Sequence, residues 1–78
     1  VTVRVVVASA DHSVAVALRD AGAEVVYIGP ADPAAVLGVA VQEDAEAVVT
    51  DDGIGDAPAG ITSLTPADAP AWLAARPR

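Results

Sequence analysis

The stretch Val14 to Gly29, VAVALRDAGAEVVYIG, constrains this chain more than any other, because it reads as a helix, a glycine stop and an apolar strand with nothing between them. Val14, Leu18 and Ala21 recur at i, i+4 and i+7 with Ala17 beside them, while Arg19 and Asp20 point away, an apolar stripe on a solvated helix. Gly22 stands where a left-handed residue closes such a helix. Val25, Val26, Tyr27 and Ile28 then run without alternation, as a strand covered on both faces does in a parallel sheet. A helix feeding directly into that strand requires a parallel strand before it. Thr2 to Ala8 (TVRVVVA), rich in β-branched residues, supplies it.

The loop Ser9-Ala10-Asp11-His12-Ser13 joins that first strand to the helix, and Asp11 or Ser13 can cap the helix by accepting its free N–H groups. After the second strand, Gly29-Pro30-Ala31 turns the chain. Asp32-Pro33 then opens a helix with a capping carboxylate and a proline at its first position, running to about Glu43 with Val36, Leu37, Ala40 and Val41 on one face. Gly38 inside it costs about 1 kcal/mol relative to alanine, so it implies either close packing on the sheet or a modest helix. Ala47 to Thr50 reads as a third strand and Asp51 to Pro58 as a loop held irregular by two glycines and a proline. Gly60-Ile61-Thr62 reads as a short fourth strand. A last helix spans Ala69 to Arg76, capped by Asp68, with Pro70 in its first turn, Trp72 and Leu73 inward and Pro77 as its stop.

Two right-handed crossovers give the strand order 2-1-3 and place the two long helices on opposite faces. With the fourth strand added, the expected architecture is a small α/β flavodoxin-like three-layer sandwich of about four parallel strands, order 2-1-3-4, forming one domain over residues 1–78. The connection from Asp51 to Ala59 is too short for the usual crossover helix. One helix is therefore missing, and Val48 or Val49 and Ile54 are expected to lie bare. An apolar core of Val, Ala, Leu and Ile with no Phe or Met fills little volume in so short a chain. A homodimer or protein partner covering the open sheet face is the expected remedy.

The formal net charge of −7, with 11 acidic residues and no lysine, repels phosphate backbones and anionic lipid, so nucleic acid and membrane surfaces are excluded as partners. The lack of cysteine removes disulfides and thiolate chemistry and accords with a cytoplasmic location. No apolar run approaches the length of a membrane span, and no basic start precedes an apolar segment.

The segments ALRDAGAEVVYIGP, VQEDAEAVV and TPADAPAWL, in that order, resemble the C-terminal cobalamin-binding domain of methylmalonyl-CoA mutase and its relatives. In that family the loop after the first strand carries Asp-x-His-x-x-Gly, whose His ligates cobalt and is held by the Asp. A Ser-x-Leu follows the third strand and a Gly-Gly follows the fourth. The resemblance makes His12 the cobalt ligand and puts Ser9, Ser13, Thr50 and Gly60 around the cofactor. Here Asp11 adjoins His12 instead of preceding it by two, Ala15 stands where the glycine belongs, Thr50-Asp51-Asp52 replaces Ser-x-Leu, and only Gly60, after Ala59, matches the glycine pair. The first helix is also about five residues short. These departures describe a trimmed relative in which no bound cobalamin is expected.

Independently of that resemblance, ligands of open α/β sheets bind at the carboxyl ends of the strands where the order reverses. This places Ser9, Asp11, His12 and Ser13 opposite Thr50, Asp51 and Asp52, where a small molecule is a possible ligand. Within that group His12 with Asp11 or Asp51 has the makings of an acid–base pair, and Asp11 with Asp51 or Asp52 of a Mg²⁺ site. The same residues also serve structure alone: Asp11 caps a helix, His12 is a solvated loop residue, and the acidic loop is a solvated rim. Gly53-x-Gly55 lacks the dinucleotide spacing, Trp72 reads as a core anchor, and Ser9, Ser13 and Ser63 suit caps and turns. Three functions follow: a non-catalytic binding or protein-interaction module, a cobalamin-binding subunit of an acyl-CoA mutase-type isomerase, and a small enzyme moving a proton through His12. The first is the expectation.

Overall fold

The computed structural model describes residues 2–55 and 57–76. The elements are β1 (Arg4–Ala8), α1 (His12–Asp20), β2 (Glu24–Tyr27), α2 (Pro33–Gln42), β3 (Ala47–Thr50), β4 (Thr62–Leu64) and α3 (Ala69–Ala74). They form a four-stranded sheet of order β2-β1-β3-β4. All three ladders are parallel: Val5 pairs with Val25 on one side and with Ala47 on the other, and Ala47 in turn pairs with Thr62. This is the small flavodoxin-like α/β arrangement expected from the sequence.

Alternation along the central strands sorts the core into two layers. Val5, Val7 and Val49 face α1 and α3, where Val14, Leu18 and Leu73 meet them and Trp72 packs at the margin. Val6, Ala8 and Val48 face α2, where Val36 and Ala40 meet them. Among the described residues no helix joins β3 to β4. The expectation that Val48 or Val49 would be bare is nevertheless incorrect, since both are fully buried. Ile54 and Ile61, from the connecting loop, pack on the α2-side layer in place of the absent helix. The sheet face proposed to receive a partner is thus closed by the chain's own loop.

Other boundaries and faces also differ. α1 begins at His12, its inward residues are Val14, Ala15 and Leu18, and Ala17 and Ala21 are exposed. β2 is an edge strand, half covered instead of buried on both faces, with Tyr27 40% exposed. In α2 the inward residues are Val36 and Ala40, with Val39 beside them, whereas Val41 is 66% exposed. Gly38 does not pack on the sheet: a Cβ placed there would meet nothing within 4 Å. β4 starts at Thr62, so Gly60 belongs to the turn before it, where its φ of 89° suits glycine. α3 ends at Ala74, and the expected stop at Pro77 lies outside the described residues. Among the described residues, no helix is long and apolar enough to cross a membrane.

Candidate functional site

The carboxyl ends of β1 and β3 carry the loops expected to form the site, and hydrogen bonds tie the two loops together. Ser9, fully buried, donates from Oγ to Asp51 Oδ1 at 2.5 Å, and the Ala10 N–H donates to Asp51 Oδ2 at 3.3 Å. Ser9 Oγ also accepts from the Asp11 N–H at 3.0 Å. Tyr27, at the end of β2, donates from its hydroxyl to the Ser9 carbonyl at 2.9 Å. Asp51 is therefore a latch between strands, with both carboxylate oxygens engaged.

Asp11 is engaged as well. Its Oδ1 accepts from the Ser13 N–H at 2.9 Å and from the Ser13 hydroxyl at 2.5 Å, which makes it the side-chain cap of α1. The Ser13 hydroxyl bond, then the Ser13 backbone bond, and the nearby His12 hold the Asp11 carboxyl below its ordinary value of 3.8. His12 occupies the first position of α1 and meets Tyr27 edge to face, ring centroids 4.8 Å apart. It lines a shallow hollow of about 120 Å³ beside β2, together with Val16, Arg19 and Tyr27. Asp51 and Asp52 line a different hollow, on the α2 side. The expected pairing of His12 with Asp51 in one crevice is thus not formed, because starting α1 at His12 turns that residue toward the β2 edge.

The second hollow measures about 310 Å³ and lies where the order of strands reverses. Pro30, Pro33 and Ile54 supply apolar walls, and Thr50, Asp51 and Asp52 supply polar groups. Thr50 is 8% exposed, and its Oγ1 has no hydrogen-bond partner. Among the described residues no three His, Asp or Glu side chains gather closely enough to hold a metal ion. Of the suggested Mg²⁺ set, Asp11 is bonded through Oδ1 to Ser13, and Asp51 to Ser9 and Ala10.

Sequence reasoning missed Tyr27 and the walls of the second hollow. Tyr27 carried a signal, being a polar aromatic at the carboxyl end of an edge strand. Pro30 and Pro33 read only as turn and helix-start residues.

No protein-family model, no curated protein and no solved structure gives a significant match to this chain. The cobalamin reading can still be tested against the residues themselves, and they do not fit that group. Asp11 Oδ1 accepts from the Ser13 N–H and hydroxyl, and among the described residues no hydrogen bond joins Asp11 to His12, as the family's ligand-holding pair would require. The Ser9–Asp51 latch closes the gap between the β1 and β3 loops. Gly60 precedes β4 and therefore lies at the amino end of the parallel sheet, opposite to Ser9, His12, Ser13 and Thr50.

Proposed function

We propose that this chain is a non-catalytic, cytoplasmic interaction module, a trimmed relative of the cobalamin-binding domain that works by association with a second copy of itself through α2. The observation that carries this reading is the outward face of that helix. Ala34, Leu37, Gly38 and Val41 fall at i, i+3, i+4 and i+7, and of these only Leu37 is even partly covered. None of the ten residues of α2 is charged, in a molecule of net charge −7. A charge-free face lets two copies meet with little apposition of carboxylates, and the missing side chain at Gly38 lets backbones approach closely. The engagement of Asp11 and Asp51 in internal hydrogen bonds, apart from His12, supports the non-catalytic part of the proposal.

A ten-residue helix is about 15 Å long. One side of it falls well short of the roughly 800 Å² per partner buried in stable interfaces. The association is accordingly weak and concentration dependent. Sedimentation velocity over a range reaching millimolar protein is expected to show a dimer forming, and Val41→Glu to abolish it without loss of folding. A chain that stays monomeric throughout would overturn the self-association reading. Mixing the protein with hydroxocobalamin is expected to give no spectral change. A change that disappears in His12→Ala would restore the cofactor-carrier reading instead.

A further inference from the structure

The geometry points to a second property, separate from association through α2: the 310 Å³ hollow at the ends of β1 and β3 binds a small organic cation with an apolar body. The hollow exists because a loop, and not a helix, follows β3. That loop brings Asp51, Asp52 and Ile54 around to face the start of α2, with Pro30 and Pro33 opposite. Its size lies at the lower limit of small-molecule sites, about 300 Å³, and its position is where open α/β sheets bind ligands.

The polar groups decide the sign of the ligand. Asp52 makes no hydrogen bond or ion pair among the described residues, so its carboxylate is an available acceptor. Asp51 keeps further lone pairs beside those used by Ser9 and Ala10. Among the described residues no arginine lines the hollow. Arg4 is committed to Glu24 and to the Glu43 carbonyl, Arg76 to Glu46, and Arg19 belongs to the hollow beside β2. The helix start offers an anion little, since Pro33 has no N–H, Asp32 already accepts from the Ala35 N–H and its carbonyl from the Val36 N–H. Anions are therefore disfavoured and a donor-bearing cation is favoured.

A second observation, independent of the carboxylates, also asks for a donor or acceptor. Thr50 borders the hollow, is more than nine-tenths buried, and has an unpartnered hydroxyl. Buried hydroxyls without partners are uncommon in folded proteins; Thr50 Oγ1 is closed off from solvent, so a ligand group satisfies it once the Thr50 side chain turns toward the hollow. Pro30, Pro33 and Ile54 would cover the apolar part of the ligand.

Three probes with the same six-carbon body separate charge from hydrophobicity: n-hexylammonium, n-hexanol and hexanoate. Each is titrated into ¹⁵N-labelled protein at neutral pH and followed by amide chemical shifts. Hexylammonium is expected to shift the amides of Ala31 and Thr50 to Ile54 saturably, with hexanol weaker and hexanoate without effect. Asp52→Asn, a change at an exposed side chain, is expected to weaken hexylammonium about threefold, as an exposed ion pair would, and Thr50→Val to weaken it while leaving the spectrum folded. Equal binding of all three probes, preference for hexanoate, or saturable shifts only outside this hollow would overturn the proposal. So would the lack of any saturable shift. None of these outcomes depends on whether the chain dimerises, which sedimentation of Val41→Glu tests separately.

Discussion

Asp11 accepts two hydrogen bonds from Ser13, and those bonds, with His12 adding a smaller attraction, keep its carboxyl below its ordinary value. Ser13→Ala removes the largest of these three causes, the hydroxyl bond. Asp11 should then titrate closer to 3.8, as read by carboxyl ¹³C shifts; an unmoved value would place the cause elsewhere. The sign of the pH effect follows from the depression. Asp11 stabilises the fold above its unfolded value, and that contribution is lost as pH falls through the lower folded value, so Asp11→Asn should flatten the acid limb of a stability profile. Ser9 makes a different prediction, because it is fully buried and joins the Asp11 N–H to Asp51. Ser9→Ala should cost about 1 kcal/mol in urea unfolding by removing the hydrogen bonds of its hydroxyl to Asp51 and the Asp11 N–H. The capping role of Asp11 was legible in the sequence, since an acid before a helical pattern has few other uses. The direction of His12 was not, because two extra residues at the start of α1 swing it from the crevice to Tyr27.

At the level of elements, β1, β3 and the parallel order were legible from runs of β-branched residues and from connection lengths. The faces of α2 were not. Its core sequence, AAVLGVAV, contains no polar residue to mark the solvent side, so the 3.6-residue period has no phase: the sequence puts Leu37 and Val41 inward beside Val36 and Ala40, where the structure has Val39 beside them instead. The same blankness hid the setting of Gly38, which faces open space at an ordinary helical φ. Gly38→Ala should therefore raise stability by about 0.5–1 kcal/mol in thermal or urea unfolding of the dilute protein. A destabilised variant would mean that the backbone there is not free to accept a side chain. β4 slipped by two residues from its expected start for a related reason: Gly60-Ile61-Thr62-Ser63-Leu64 has only Ile61 and Leu64 as apolar marks, and Leu64 is the one that reaches the main core.

For the whole molecule, the thin supply of large side chains sets the margin. Leu18 is the largest fully buried residue among the described ones, and Leu18→Ala should cost about 2–5 kcal/mol. Against a total of roughly 4–12 kcal/mol for a domain this size, circular dichroism should show a substantial loss of the folded state on mild warming. The absence of a helix between β3 and β4 was legible from chain length alone. Its replacement by Ile54 and Ile61 was not, because isolated apolar residues among glycines carry no period. The arrangement of strands has one more consequence, and it concerns time. Every ladder is parallel, so no pair can zip from a tight turn; Arg4 must find Glu24 and Val5 must find Ala47 before β1 is secured on both sides. Each meeting closes a long loop before any contact rewards it. β1 thus gains its second partner only through the longer of its two closures, which lengthens the search for the native sheet.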